Sequence, residues 1–260
     1  NFKPKKRKPC FTEPAPQVNT TDGKHAGKTW AEQLANHYGL HADASSNGGT
    51  NYAMVGAQTQ DMYKQAQTYL KDVGQQADPN ALYVIWGGSE DLFVKVIHNK
   101  MSPAQVLIDG VEETLEISEL LAKHGARHIL VIGMHDVSLT PFVSLTDPEA
   151  QAKAHEFVSK WNELLMNSLP YMKRGYPATS FYKWEPSSMM QALHVKPSSQ
   201  GFSDQIDDPV YGMVANDKTW WCGLNMDKKA DEMLFFNALN PTSAYHEQIA
   251  KNISSSASKV

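Results

Sequence analysis

The fold is decided by the stretch Ala81-Leu82-Tyr83-Val84-Ile85-Trp86-Gly87-Gly88. Six apolar or aromatic residues in a row, stopped by two glycines, are typical of a strand that is buried on both faces. A similar run occupies Arg127 to Gly133, and the segment between the two runs has helical spacing from Ser102 to His124, with proline in its first turn. Strand, helix and strand in this order predict parallel strands that are covered by helices.

The alternation continues along the rest of the chain. Further helices are predicted at Thr29 to Tyr38, Asp61 to Val73, Pro148 to Met166 and Thr242 to Ile253, and further strands at Asn51 to Ala57 and Ala178 to Tyr182. Residues 185–232 are expected to be rich in loops. The sequence therefore predicts a three-layer α/β/α sandwich around a mainly parallel sheet. In such folds the working groups lie on loops at the carboxyl ends of the strands.

Composition limits the class of protein. The chain has 260 residues, of which 41% are hydrophobic and 20% charged, and its formal net charge is −4. These values predict one globular domain over 1–260, with a loop-like segment at 1–28 and a flexible tail at 254–260. A weakly acidic chain is not attracted to nucleic acid, and no apolar run reaches the ~18 residues that a membrane-spanning helix needs.

The two cysteines, Cys10 and Cys222, leave two alternatives open. They form one disulfide, or they are unrelated thiols, and spacing alone does not decide between these. Both lie in loop-like surroundings, which slightly favours a disulfide and therefore an exported or secreted protein. The ten histidines show no spacing typical of metal ligands, so neither a metal nor another cofactor is expected. Oligomeric state is not indicated.

Five segments, in order, carry a resemblance to a known family. They are Lys28 to Ala35 (K-T-W-A-E-Q-L-A), Gly49 to Ala57 (G-T-N-Y-A-M-V-G-A), Tyr83 to Leu92 (Y-V-I-W-G-G-S-E-D-L), Gly125 to Val131 followed by Leu139-Thr140-Pro141, and Phe235 to Thr242 (F-F-N-A-L-N-P-T). Together they resemble the blocks of the GDSL/SGNH hydrolases, a lipase/acylhydrolase family with a flavodoxin-like sandwich. The resemblance covers about residues 28–253.

The resemblance also implies where catalytic groups would lie. In the family a serine from the first block attacks the ester, and an Asp-x-x-His pair in the last block activates that serine. Hydrogen-bond donors from the serine, a glycine and an asparagine hold the oxyanion. This chain has Asn237 at the aspartate position, Asn240 at the histidine position and Glu90 at the position of the oxyanion asparagine. Of these catalytic and oxyanion positions only Gly56 is kept, and Asp91, which also matches the family, is interpreted as a residue that shapes its loop.

These replacements remove the chemistry that the resemblance would imply. An amide side chain such as that of Asn240 is not a useful base, and an ionised Glu90 repels a developing oxyanion. Loss of a triad costs on the order of a million-fold in rate, or roughly 8 kcal/mol of barrier. The favoured hypothesis is an SGNH-fold pseudoenzyme that binds a lipid, an ester-bearing ligand or a protein partner.

Two other functions stay open from the sequence. One is an active esterase or lysophospholipase whose serine lies upstream of Asn1 or whose base is relocated, with His135, Asp136 and Cys10 as candidate substitutes. The other is a structural or interaction module. The family's first strand, which carries the serine, has no counterpart before Trp30, so that strand is missing or supplied from elsewhere.

Overall fold

The computed structural model describes residues 28–144, 148–205 and 230–260. In this part of the chain the strands are β1 (Leu82–Trp86), β2 (His128–Ile132), β3 (Ser180–Trp184) and β4 (Ser258–Lys259). The α-helices are α1 (Trp30–His37), α2 (Thr59–Asp72), α3 (Pro103–Lys123), α4 (Pro141–Ser144), α5 (Pro148–Gly175), α6 (Ser187–Val195) and α7 (Ser243–Ser256). A π-helical segment, Asp91–His98, follows β1, and short 3₁₀ turns occupy Ser45–Asn47, Val137–Leu139, Pro197–Gln200 and Ala230–Glu232.

The sheet has the order β1-β2-β3-β4. The first three strands are parallel and in register, with Leu82 opposite His128 and His128 opposite Ser180. The last strand pairs with β3 in the antiparallel direction. Since all three parallel strands end together, the loops that follow Trp86, Ile132 and Trp184 meet at one edge of the sheet, here called the carboxyl edge.

Two helical layers cover the sheet. Alternate residues of β2 point to opposite faces: Ile129 and Val131 pack with α2, α3 and α5, while Leu130 and Ile132 pack with α1, α6 and α7. The side chains of Ile129 and Val131 are completely buried. The predicted α/β fold with a mainly parallel sheet is confirmed.

The two glycines that end β1 are required by close packing. A side chain at Gly88, which has a φ of 108°, would place its Cβ 2.6 Å from the ring of Trp161 and 2.7 Å from Met134. A Cβ on Gly87 would lie 2.1 Å from the sulfur of Met62. The glycines let the chain leave the sheet directly beside the buried Trp161.

The strand predicted at Asn51 to Ala57 is wrong. Asn51 makes a single bridge to Ala44, and Met54 and Val55 are 71% and 93% exposed. An apolar run becomes a strand only when a neighbouring backbone satisfies its N–H and C=O groups. Among the described residues no strand pairs with the outer edge of β1. The segment Asn51 to Ala57 therefore has no neighbouring strand to pair with.

The flexible tail expected at 254–260 is also wrong. Helix α7 continues to Ser256, and Ser258 and Lys259 form β4 against β3. The N–H of Val260 donates to the carbonyl of Phe181 at 2.9 Å. The end of the chain therefore protects one edge of the sheet.

Other differences concern element boundaries. The predicted helix from Pro148 extends through Pro170 to Gly175, and the third strand begins two residues later than expected, at Ser180. The segment expected to be loop-rich contains α6. That helix is short and its apolar residues follow a weak helical period, which explains why the sequence pattern missed it.

Candidate functional site

The buried carboxylate of Asp91 joins two loops at the carboxyl edge. It is completely buried and accepts hydrogen bonds from the backbone N–H and the hydroxyl of Thr59, at 3.0 and 2.9 Å. Lys95, one turn along the π-helical segment, lies 2.7 Å from the same carboxylate. The hydroxyl of Thr59 also contacts Glu113. This network fixes the start of α2 against the loop after β1.

Two of the family positions are brought close in space by that network. Gly56 lies three residues before Thr59, in a turn with φ of 74° where the N–H of Ala57 donates to the carbonyl of Met54 at 3.3 Å. Glu90 precedes Asp91 and is partly buried. Burial, together with the charge of Asp91, raises the pKa of Glu90. A carboxyl group in these surroundings favours its neutral form more than a solvated glutamate does.

Asn237 and Asn240, which the resemblance aligns with the catalytic pair, form a closed turn. The side-chain oxygen of Asn237 accepts hydrogen bonds from the backbone N–H groups of Leu239 and Asn240, at 3.0 and 2.7 Å. It also accepts from the side-chain amide of Asn240, at 3.1 Å. The carbonyl of Asn240 in turn accepts from the N–H of Phe236, at 2.8 Å. The turn holds its shape with amides alone and contains no acid or base.

This turn is attached to the rest of the carboxyl edge through α4. The N–H of Phe142 donates to the carbonyl of Ala238 at 2.9 Å, and the ring of Phe142 lies 5.6 Å from that of Phe93. Phe93 is two residues beyond Asp91. The structure therefore places the positions of Gly56, Glu90, Asn237 and Asn240 on connected loops along one edge of the sheet.

His135, one of the candidate substitute bases, is held in an apolar environment. Its ring packs edge-on against Trp86 with centroids 6.2 Å apart. Burial lowers its pKa to about 4, which the charge of Asp136 only partly offsets. His246, on α7, also has a pKa lowered to about 4, by burial and by His135. Its Nδ1 is buried and has no hydrogen-bond partner in the described part of the chain. Both histidines are neutral at pH 7, which fits packing.

The acid–base pair considered for His135 and Asp136 does not form. The carboxylate of Asp136, 2% exposed, instead lies 2.6 Å from Nδ1 of His155 on α5. Its other oxygen accepts from the backbone N–H and the hydroxyl of Ser138, at 3.1 and 2.6 Å. The pair of Asp136 and His155 is the carboxylate–imidazole contact at the carboxyl edge that sequence reasoning missed.

A signal for His155 was present but weak. It adjoins the buried face of α5, beside Ala154 and one turn before Val158, where a polar residue flanks an apolar stripe. Because α5 runs back towards the start of β3, its first turns must lie at the carboxyl edge. Its partner Asp136 lies on a loop 19 residues earlier in the chain, and no local sequence pattern identifies that pairing.

The remaining expectations concern the cysteines, metal ligands and membrane-spanning helices. Cys10 and Cys222 lie outside the described residues, so their pairing and the role of Cys10 as a substitute nucleophile stay predictions. Within the described ranges, no cluster of three or more His, Cys, Asp or Glu side chains is arranged to hold a metal ion. No described helix combines the length and the apolar character needed to cross a membrane.

Two cavities lie beside α1 and α7, and the first of them also borders Gln200 to Phe202, in the chain that follows β3 and α6. One of about 420 Å³ is bordered by α1 and α7, with Gln33 and Glu247 in its wall. The other, of about 300 Å³, lies between α1, α7 and the starts of the strands, and is lined by Leu82, His128 and Tyr182. Neither contains a family catalytic position, so the loop geometry defines the candidate site better than cavity size does.

Comparison with known proteins agrees with this geometry. The family model described as GDSL-like lipase/acylhydrolase matches residues 18–253. The chain is also similar to Lipase 1 of Photorhabdus luminescens, with 29% identity over 134 residues, which is 48% of this chain and 20% of that protein. The aligned part thus spans about a fifth of the length of that relative.

Proposed function

Because the chain belongs to the GDSL-like lipase/acylhydrolase family, we propose that it binds a lipid or another acyl ester at the carboxyl edge without serine-type turnover. The observation that supports this most is the Asn237 turn. An amide oxygen fills the place of the family's carboxylate and is fully used by Leu239 and Asn240. No proton acceptor of useful strength is left there.

The oxyanion position supports the same proposal. Glu90 replaces a side-chain amide, whose N–H would donate to an oxyanion. Even with a raised pKa, a carboxyl group is a poorer fixed donor than an amide, because its ionised form donates nothing. One missing donor of this kind costs about 100- to 1,000-fold in rate, in addition to the loss of the base.

Binding and turnover are measured separately to test the proposal. The chain is titrated with vesicle-free monoacyl and short-chain esters by calorimetry, and the same mixtures are analysed for released fatty acid. Saturable binding with no release above buffer is expected. A serine esterase of the family serves as the positive control for release. Serine-dependent release by this chain would refute the proposal.

The second candidate function is an esterase whose base is relocated. The specific observation that favours it is the 2.6 Å contact between Asp136 and His155, because the base of a serine triad is an imidazole that a carboxylate orients. If this candidate is right, fatty acid is released in the same assay and the His155→Gln variant abolishes that release.

A further inference from the structure

His155 is a polar residue at the carboxyl edge. The binding proposed above, which is argued from the asparagine turn, does not use it. It lies seven positions after Pro148, the first residue of α5, which is roughly 10 Å along the helix axis. Its side chain is 53% exposed, whereas that of Asp136 is 3% exposed. One end of the pair is therefore fixed in the protein and the other end is open to a ligand.

The hydrogen bond to Asp136 decides which ring nitrogen carries the proton. A carboxylate accepts and does not donate, so Nδ1 of His155 donates to it at 2.6 Å. In the neutral imidazole the other nitrogen, Nε2, then has a lone pair and is an acceptor. The half of the ring that a ligand reaches is consequently an acceptor of hydrogen bonds.

The acceptor is held rigidly. Ser138 donates to the second carboxylate oxygen of Asp136 through both its backbone N–H and its hydroxyl. The loop is also tied to α5 by Gln151, whose amide donates to the carbonyl of Ser138 at 3.2 Å. An imidazole oriented in this way loses little entropy when it forms one more hydrogen bond.

Apolar groups lie on the same edge. Phe142 follows the Asp136 loop and contacts Phe93, while Leu239, in the asparagine turn, is 37% exposed. An acceptor and apolar side chains on one edge of the sheet suit an amphiphile that carries both a hydroxyl and an acyl chain. We propose that Nε2 of His155 accepts a hydrogen bond from a free hydroxyl of the ligand, so that the chain prefers acyl esters of polyols that retain a free hydroxyl.

This inference rests on the proposed function, that an acyl ester binds at this edge. The probes that test it are monolauroylglycerol and its analogue in which both glycerol hydroxyls are methylated. One hydrogen bond predicts about three- to tenfold tighter binding of the hydroxylated probe by the unaltered chain. The His155→Phe variant is expected to bind both probes equally.

The matched control is His124→Phe. His124 is less exposed than His155, but it also uses Nδ1, which lies 2.8 Å from the carbonyl of Leu120. It lies at the end of α3, at the opposite edge of the sheet. The preference for the hydroxylated probe must survive in this variant. A preference that disappears in both variants, or in neither, overturns the inference.

Asp136→Asn tests the role of Asp136 as a positioning residue. Ser138 donates its backbone N–H to one oxygen, so the amide oxygen of the new side chain stays at that place and its NH₂ faces His155. Nδ1 must then accept, and the proton of the neutral ring moves to Nε2. Imidazole ¹⁵N shifts are expected to show the exchanged tautomer, together with a preference for the hydroxylated probe reduced to about twofold or less. An unchanged tautomer, or an unchanged preference, contradicts the assignment.

The two proposals fail in different ways. If the unaltered chain binds both probes with equal affinity and releases no fatty acid, the hydroxyl contact is refuted and the proposed function survives. If it binds neither probe, or hydrolyses them through a serine, the proposed function itself is refuted and the inference falls with it.

Discussion

Two regions at the carboxyl edge each pair two polar side chains, but only one of the regions contains groups that titrate. In the turn of Asn237 and Asn240, two amides bond to each other and to backbone N–H groups. In the pair of Asp136 and His155, a buried carboxylate orients an exposed imidazole. Backbone N–H groups donate either to an amide oxygen or to a carboxylate, so a turn can keep its shape when an amide stands in place of an acid. Proton transfer has no such tolerance, because it depends on the titrating groups themselves.

Of the substitutions considered, a change of Asp91 is expected to reduce the stability of the protein most. Asp91→Ala leaves Thr59 and the partly buried Lys95 without their shared acceptor, and we expect a loss of about 3–5 kcal/mol in the free energy of unfolding. The matched control is Glu149→Ala, which removes an i,i+4 pair with Lys153 that is exposed on both sides and costs less than about 0.5 kcal/mol. Equal losses in urea unfolding of the two variants would show that Asp91 is not a structural centre.

Acid is expected to weaken the packing beneath both regions. His135 and His246 have folded-state pKa values near 4 and an ordinary value of 6.5, so the unfolded chain binds protons first as the pH falls. Their contribution is present above pH 6.5 and is lost towards pH 4. Between pH 7 and pH 5 the loss is about 2 kcal/mol for each histidine.

Urea unfolding at the two pH values checks this expectation. The His135→Gln, His246→Asn double variant should show a smaller loss between pH 7 and pH 5 than the unaltered chain. If both proteins lose the same free energy, other groups are responsible for the acid sensitivity.

The smallest expected effects distinguish the two asparagines of the turn. Asn237→Ala removes one acceptor of three hydrogen bonds and should cost about 1–2 kcal/mol, whereas Asn240→Ala removes only the amide donor and should cost about 0.5 kcal/mol. Asn237→Asp keeps the acceptor and should be close to neutral. The order of the three unfolding midpoints is the test, and an Asn240→Ala variant less stable than Asn237→Ala would contradict the geometry.

The sequence predicted the elements that have a clear local pattern, although β1 is less buried than its apolar run predicts, with Ile85 alone of its five residues buried. Strands β1 and β2 are continuous apolar runs, and α3 has its proline in the first turn, so their composition is nearly sufficient. The run at Asn51 to Ala57 is also largely apolar, but it pairs with no strand among the described residues and stays irregular. The composition of a segment does not show which other strand, if any, will pair with it.

The sequence likewise indicated some parts of the candidate site and not others. The departures from the family pattern at Glu90, Asn237 and Asn240 stay predictions, which could be made because motif positions are local in sequence. The contact between Asp136 and His155 could not be predicted, because it joins a loop and a helix through the path of the chain. Likewise β4 depends on its pairing with β3, which no property of a serine-rich tail indicates.

The central claim is the absence of a serine-type mechanism, and covalent labelling tests it most directly. The chain is incubated with a fluorophosphonate probe, which reacts with activated serines, and its intact mass is measured beside that of an active serine esterase. We expect no mass increase for this chain and complete labelling of the esterase. A stoichiometric adduct on any serine of this chain would contradict the account.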